Sequence, residues 1–114
     1  MVSGRSEKSL EEAAMQLGQL SNDPDVGLYD VCRGDIQKVD DAKRMISSTA
    51  DRFGGIDIVI NNAGVGIFGN VADQSVEDWE RVIGTNLSGV FYCCRAAVPY
   101  LRERGGGWII NVSS

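Results

Sequence analysis

Small polar residues and glycines occur at three points of the sequence, each after a predicted strand. These points are Asp35–Ile36, Asn61–Gly64 and Ser113–Ser114. Carboxylate, amide and hydroxyl groups can hold a polar ligand, and glycine lets a ligand approach the backbone closely. The chain has no histidine and its three cysteines form no Cys-x-x-Cys pair. A zinc site and a histidine-based catalytic triad are therefore not expected.

Each of these signals has a simpler explanation when it is taken alone. An Asn-Ala-Gly sequence after a strand is a common turn, and two serines in that place usually form a cap or a loop. A single arginine just before a predicted helix, such as Arg5, is usually exposed to solvent. Asn86 lies within a predicted helix, where asparagine is unfavourable, but a helix break or a satisfied core amide would explain it.

The spacing of apolar residues predicts the elements that position these groups. Helices are expected at 7–20 and 39–53 and, in two pieces, from 75 to 104. Strands are expected at 26–31, with a continuation to 36 left open, and at 56–60 and 108–112. Asp57 is the only charged residue of its strand, so both strand faces are expected to be buried. Alternating helices and strands predict an α/β fold with parallel strands, which binds ligands at the carboxyl ends of its strands.

Local signals mark where the elements begin and end. Ser9 with Glu12 could form a capping box for the first helix, with Ser6 and Gly4 as equally good starts. Ser75 with Asp78 begins the long helix, and a glycine pair at 54–55 ends the second helix. A turn is expected at 22–24.

The overall composition limits the classes of protein to which this chain can belong. A chain of 114 residues suits one domain, and a net charge of −5 argues against a partner that is nucleic acid or an anionic membrane. The odd number of cysteines fits a reducing cytoplasm rather than a disulfide framework. No apolar stretch is long enough to span a bilayer, and acidic residues interrupt any secretion signal near the start.

Four motifs in order resemble the short-chain dehydrogenase/reductase family. Asn61 lies 26 residues after Asp35 and 25 before Asn86, and Ser114 follows Asn86 by 28. The matching segments are Asp35–Ile36, Phe53–Gly64, Thr85–Phe91 and Gly107–Ser114. The resemblance implies a Rossmann-type, doubly wound parallel sheet.

The resemblance also implies a role for each residue at the strand ends. Asp35 would accept a hydrogen bond from the adenine amino group, and Ile36 would supply a backbone N–H. The ribose side of the dinucleotide would lie against Asn62, Ala63 and Gly64. Asn86 would hold a helix kink and a water in a proton relay. Ser114, the second serine of its pair, would donate a hydrogen bond to the substrate carbonyl.

Arg5 bears on which cofactor is used. In the resembling family, an acidic residue at the end of the second strand accepts the ribose hydroxyls of NAD, whereas a basic residue pairs with the 2′-phosphate of NADP. Arg5 stands there without an acid, so NADP is favoured over NAD, with a solvated Arg5 as the other interpretation.

Two family motifs do not occur in the sequence: the Thr-Gly-x-x-x-Gly-x-Gly loop and the Tyr-x-x-x-Lys pair. Residues 1–114 are therefore expected to be the central part of a larger single NAD(P)-binding domain, without its first strand, glycine-rich loop and C-terminal part. The strand at 26–31 would lack a neighbour, so this polypeptide alone is expected to be unstable and inactive.

The resemblance implies an oxidoreductase that transfers a hydride between NADP(H) and a ketone or secondary alcohol, similar to the 3-oxoacyl-carrier-protein reductases. The alternative is a non-catalytic Rossmann-type nucleotide-binding or regulatory protein. The family also implies a homo-oligomer, a dimer or tetramer, which the long helix could form through Phe91, Ala96, Ala97 and Leu101.

Overall fold

The structure is a computed structural model that describes residues 1–20 and 28–113. The chain divides into two compact units, Met1–Asp35 and Ile36–Ser114, and each is described by itself. The turn predicted at 22–24 lies outside the described residues. Among the described residues, every helix is too short or too polar to span a bilayer.

The first unit is a strand, a helix and a second strand. Strand β1 (Val2–Gly4) pairs in parallel with β2 (Val31–Arg33), and helix α1 (Glu7–Leu20) connects them. The helix has the predicted bounds. Its N-cap is Ser6, whose Oγ accepts from the Ser9 amide at 3.2 Å, so of the three predicted starts the structure selects Ser6. Leu10 is the buried apolar residue of this helix.

Two expectations about the strand at 26–31 were wrong. Strand β2 begins only at Val31, and residues 28–30 form no strand. The strand also has a neighbour, because β1 pairs with it and two flanking bonds extend the ladder, from the Val2 amide to Asp30 O and from the Gly34 amide to Gly4 O, both at 2.9 Å. The expected instability loses the reason given for it and stays a prediction.

The second unit contains two more parallel strands and three α-helices. Helix α2 (Val39–Phe53) precedes strand β3 (Ile58–Asn61), and α3 (Val76–Ile83) and α4 (Val90–Glu103) precede β4 (Trp108–Asn111). A short 3₁₀ turn lies at Val71–Asp73. Residues Gly84–Gly89 form a π-helical turn between α3 and α4, which confirms the long helix in two pieces.

The residues predicted to begin and end helices do so in this unit. Ser75 Oγ accepts from the Asp78 amide at 3.1 Å, which satisfies one of the free donors at the start of α3. Helix α2 ends at Gly54, whose φ of 79° lies in the left-handed region and lets its N–H return to Ala50 O. These local bonds fix the helix ends that lead into the strands.

The core of the second unit lies between strand β3 and helices α2 and α4. Its buried members are Ala50, Ile56, Val59, Ala97 and Leu101. Burial of Ala97 and Leu101 corrects the expectation that both could serve an oligomer surface. Of the four helix residues proposed for that surface, Phe91 is the one with a large exposed side chain.

Strand β3 is buried on one face only, which corrects the prediction that both faces are buried. Val59 is 9% exposed, whereas Ile58 and Ile60 are 55% and 62% exposed. Alternate residues of a strand point to opposite faces. Within the described residues of this unit, the helices pack against the face that carries Val59.

Candidate cofactor and substrate site

The carboxyl ends of β3 and β4 open into a cleft of about 470 Å³. The two strands run in parallel and in register, with Asn61 beside Asn111, so the segments that follow them start side by side. Residues of both segments and of the π-helical turn line the cleft: Asn62, Ala63, Gly64, Val65, Gly66, Asn86, Val90, Asn111, Val112 and Ser113. Three of the predicted cofactor residues, 62–64, are therefore brought together with Asn86.

Asn86 ties the loop after β3 to the π-helical turn. Its Oδ1 accepts from the Val65 amide at 2.9 Å, and its Nδ2 donates to Val65 O at 2.9 Å. The primary amide thus satisfies both backbone groups of one loop residue. This pair of bonds gives a physical reason for an asparagine at a position where helix propensity disfavours it.

A second contact, between two amides, lies at the ends of β3 and β4, where Asn111 lines the cleft. Asn61 Nδ2 donates to Asn111 Oδ1 at 2.8 Å and approaches Cys94 Sγ at 3.4 Å. The backbone continues the link, since the Val112 amide donates to Asn61 O at 3.0 Å. Together these contacts hold the last residues of β3 and β4 side by side and place the segment that leads to Ser113.

Ile36 packs on the same π-helical turn, inside the second unit. A Cβ added to Gly89 would come within 2.7 Å of Ile36 Cδ1 and 3.2 Å of Gly84 O. Gly89 is buried, so the glycine permits a contact that a larger residue would prevent. Ile36, whose backbone N–H is the predicted cofactor contact, therefore packs against the π-helical turn that also carries Asn86.

Arg5 and Asp35 lie in the first unit, at the ends of its own two strands. Arg5 follows β1 directly, is exposed, and its guanidinium has no hydrogen-bond partner among the described residues. Asp35 follows β2 after Gly34 and is half-buried. Arg33 is the last residue of β2, and its Nε donates to Arg5 O at 3.2 Å.

Thr85 is a buried polar residue next to Asn86. It is 4% exposed, and its Oγ1 has no hydrogen-bond partner in the part of the chain that the structure describes. An unpaired buried hydroxyl costs about 1–3 kcal/mol, which places a destabilising group in the same π-helical turn that carries Asn86.

The three cysteines form no disulfide bond in the structure. Burial, with a smaller contribution from Cys94, raises the pKa of the Cys93 thiol. Cys93 is therefore a poor nucleophile at neutral pH. Residues 1–20 and 28–113 contain no group of three or more histidine, cysteine or acidic residues that could hold a metal ion.

A larger groove of about 650 Å³ lies between α2 and α4, lined by Lys43, Tyr92, Arg95, Tyr100 and their neighbours. It contains no strand end and none of the predicted cofactor or catalytic residues, although Ala96, one of the residues proposed for an oligomer surface, lines it. Ligand sites of open α/β sheets lie at the carboxyl ends of strands. We therefore assign the candidate site to the smaller cleft.

Comparison with known proteins identifies the chain. The family model described as short chain dehydrogenase matches residues 1–114. The chain belongs to the short-chain dehydrogenase family.

Relatives and solved structures agree with this family. A D-beta-hydroxybutyrate dehydrogenase of Rhizobium meliloti is 44% identical over 80 residues, which is 70% of this chain and 31% of that protein. A short chain dehydrogenase from Mycobacterium smegmatis has a TM-score of 0.89 at 32% identity, covering 98% of this chain and 45% of that one. A gluconate 5-dehydrogenase from Burkholderia cenocepacia J2315, in complex with NADP and tartrate, has a TM-score of 0.83 at 28% identity over 99% of this chain and 42% of that one.

These similarities confirm the Rossmann-type α/β fold and an oxidoreductase family that uses NAD(P). The chain spans less than half the length of these relatives. The cleft fits part of such a cofactor, since its volume lies in the range of small-molecule sites, about 300–1,000 Å³. At Gly64 a Cβ would extend to 3.6 Å from Asn86 Oδ1 and would occupy space that the glycine leaves open.

Sequence reasoning missed two parts of this cleft. Asn61 belongs to the motif but was given no role, although its amide bridges to Asn111. Val65 contributes only its backbone, which no side-chain pattern reveals. In the first unit, taken by itself, Arg33 was not singled out, although it lies one position before Gly34-Asp35. Ser114, the predicted catalytic serine, lies outside the described residues, while its neighbour Ser113 lines the cleft.

Proposed function

We propose that this chain is part of an oxidoreductase that transfers a hydride between NADP(H) and a ketone or secondary alcohol. The observation that carries the proposal is the cleft at the ends of β3 and β4, where the Asn62–Gly64 backbone, Asn86 and the segment leading to Ser114 converge. Residues 1–114 would belong to one NAD(P)-binding domain.

Each unit, taken by itself, offers groups that suit part of a dinucleotide. In the second unit, Asn62, Ala63 and Gly64 offer an exposed loop with one short amide and two small residues, against which a ribose can lie closely. Asp35 would accept a hydrogen bond from the adenine amino group, and Ile36 would supply its backbone N–H.

NADP(H) rather than NAD(H) is proposed because of Arg5. Its guanidinium is exposed at the end of β1, with no acidic residue at that strand end. Arginine matches the geometry and charge of a phosphate ester. The gluconate 5-dehydrogenase of similar fold was solved with NADP, which supports the same choice for this chain.

When bound, the cofactor would supply or accept the hydride. Ser114 would donate a hydrogen bond to the substrate oxygen, where negative charge develops during reduction. Asn86 uses one amide hydrogen and one Oδ1 lone pair on Val65, and each atom retains a second bonding position. That capacity allows Asn86 to hold a water in the proton relay.

The substrate would be a small molecule, because the cleft is small and is lined in part by Val65, Val90 and Val112. We further propose a homo-oligomer and a cytoplasmic location, the latter because the three cysteines are unpaired.

The cofactor preference can be tested with Arg5→Asp in the full-length protein to which this chain is proposed to belong. The variant should lose the preference for NADP(H), because a carboxylate repels the 2′-phosphate. Lys8→Asp, which makes the same charge change at an exposed position of α1, is the matched control and should keep the preference. Both are measured as the ratio of kcat/KM for NADP(H) over NAD(H), and as the ratio of Kd values.

An unchanged ratio in Arg5→Asp would show that the proposed role of Arg5 is wrong. If the protein binds the dinucleotide but transfers no hydride to or from a panel of ketones and secondary alcohols, the alternative of a non-catalytic nucleotide-binding protein is supported instead.

A further inference from the structure

We propose that Arg33 is a second cation for the ribose 2′-phosphate of NADP(H), and that Glu7 competes with the phosphate for it. This inference rests on the proposed NADP(H) specificity and adds to it a residue on the neighbouring strand. Arg5, Arg33 and Glu7 all lie in the first unit, and the contacts that support the proposal are contacts within that unit.

The pairing of β1 with β2 brings Arg33 beside the end of β1. Gly4 and Arg33 are register partners, and the Gly34 amide donates to Gly4 O at 2.9 Å. The Arg33 side chain extends to the residue that follows β1, where its Nε donates to Arg5 O at 3.2 Å. The guanidinium of Arg33 therefore lies against the backbone of the residue proposed to bind the phosphate.

The hydrogen bond to Arg5 O also orients the Arg33 guanidinium. A guanidinium carries one N–H on Nε and four on its two Nη nitrogens, in a fixed plane. With Nε bound to the backbone, the Nη edge is the part that can face an anion. A side chain held in this way loses less conformational entropy on binding than a fully mobile arginine does.

Glu7 is one group that approaches this edge in the structure. Its Oε2 lies 3.8 Å from Arg33 Nη1, with the two side chains 75% and 68% exposed. Exposed ion pairs of this length are weak. A phosphate monoester carries a charge of about −1.5 to −2 and three acceptor oxygens, so it is the stronger partner for arginine. The neutral 2′-hydroxyl of NAD offers no charge to replace the carboxylate.

The test uses adenosine 2′,5′-bisphosphate and adenosine 5′-monophosphate as probes, with dissociation constants measured by calorimetry. Arg33→Met should weaken the bisphosphate by about tenfold, as expected for a lost charge-assisted hydrogen bond, and change the monophosphate by less than about twofold. Lys8→Met, which removes a nearby exposed cation from α1, is the control and should leave the ratio of the two constants unchanged.

Glu7→Gln supplies a result that misfolding cannot imitate. Removing the competing carboxylate should tighten the bisphosphate about 1.4- to 5-fold, the range set by an exposed ion pair, without tightening the monophosphate. Glu11→Gln removes an exposed acid from the same helix and should produce no such gain. Arg33→Lys keeps the charge but not the planar fork, so its loss should be smaller than that of Arg33→Met.

Equal losses of both probes in Arg33→Met, or no gain in Glu7→Gln, would overturn the role of Arg33. If Arg5→Met removes the bisphosphate preference and Arg33→Met does not, the NADP(H) proposal stands and this inference fails. If the unmodified protein shows no preference for the bisphosphate, the NADP(H) proposal itself fails, and the inference falls with it.

Discussion

Replacing Asn86 by alanine should release the loop after β3 from the π-helical turn. The Asn86 amide makes two hydrogen bonds of 2.9 Å, to the N–H and the C=O of Val65. Alanine can make neither bond. Both backbone groups of Val65 then lose the partner seen in the structure, and the wall of the cleft nearest the proposed ribose site becomes mobile.

The size of the effect follows from the two bonds. A neutral hydrogen bond contributes about 0.5–1.5 kcal/mol net, so the pair is worth about 1–3 kcal/mol. Asn86 is exposed and Val65 is half-buried, so water can replace part of the loss. Alanine also gains up to about 0.7 kcal/mol of helix propensity. We expect a net loss of about 1 kcal/mol in the free energy of unfolding, with a larger local effect at Val65.

Amide hydrogen exchange at Val65 measures the local opening of the loop directly. A loss of one to two kcal/mol corresponds to a factor of about 5–30 in the local opening equilibrium. The Val65 amide should exchange faster by that factor in Asn86→Ala, while amides in the middle of α2 change by no more than the global loss. Asn62→Ala is the matched control, because its exposed side chain makes no hydrogen bond within the described residues.

An unchanged Val65 exchange rate in Asn86→Ala would show that the amide pair does not hold the loop. Equal acceleration in Asn62→Ala would show that the effect belongs to the loop sequence and not to the two bonds.

Three further predictions concern packing and protonation in the second unit. Thr85→Val should leave stability unchanged or raise it by about 1 kcal/mol, because it removes a buried hydroxyl without a partner among the described residues; a loss in urea unfolding would mean that the hydroxyl is bonded. Gly107→Ala should destabilise by about 1–3 kcal/mol, because its Cβ would clash with Asp57 O, whereas Gly69→Ala, with open space around it, should lie within about 0.5 kcal/mol of wild type. Burial raises the pKa of the Cys93 thiol above its ordinary value of 9.0, so the stability that the buried neutral thiol contributes is present below that pH and is lost as pH rises through the raised value. The free energy of unfolding should therefore decline more steeply above pH 9.0 in the wild type than in Cys93→Ala. Equal slopes in the two proteins would contradict the raised pKa of Cys93.

The helices were predictable because their signals are local. The bounds of α1 and α2, the Ser75 cap and the left-handed Gly54 all follow from residues within one turn of each other. The break at Asn86 was likewise visible as a poor helix former in mid-helix. Its cause was not, because the Val65 backbone that it binds is distant in sequence and carries no side-chain signal.

The strands were harder to predict because their limits depend on partners. Strand β2 begins at Val31 since its register is set by β1, a three-residue strand that apolar periodicity could not reveal. The faces of β3 depend on which side the helices cover, so the exposure of Ile58 and Ile60 could not be read from their hydrophobic character. Arg33 escaped notice for the same reason, since its relation to Arg5 exists only in the paired strands.

The binding of a nicotinamide dinucleotide at these strand ends is the central claim, and a titration of the isotope-labelled protein with NADP⁺ and NAD⁺, followed by amide NMR shifts, tests it most directly. We predict shifts at Asp35 and Ile36 and along Asn62–Gly64, with NADP⁺ saturating at the lower concentration. Shifts confined to the groove between α2 and α4, or equal saturation by the two dinucleotides, would contradict the account.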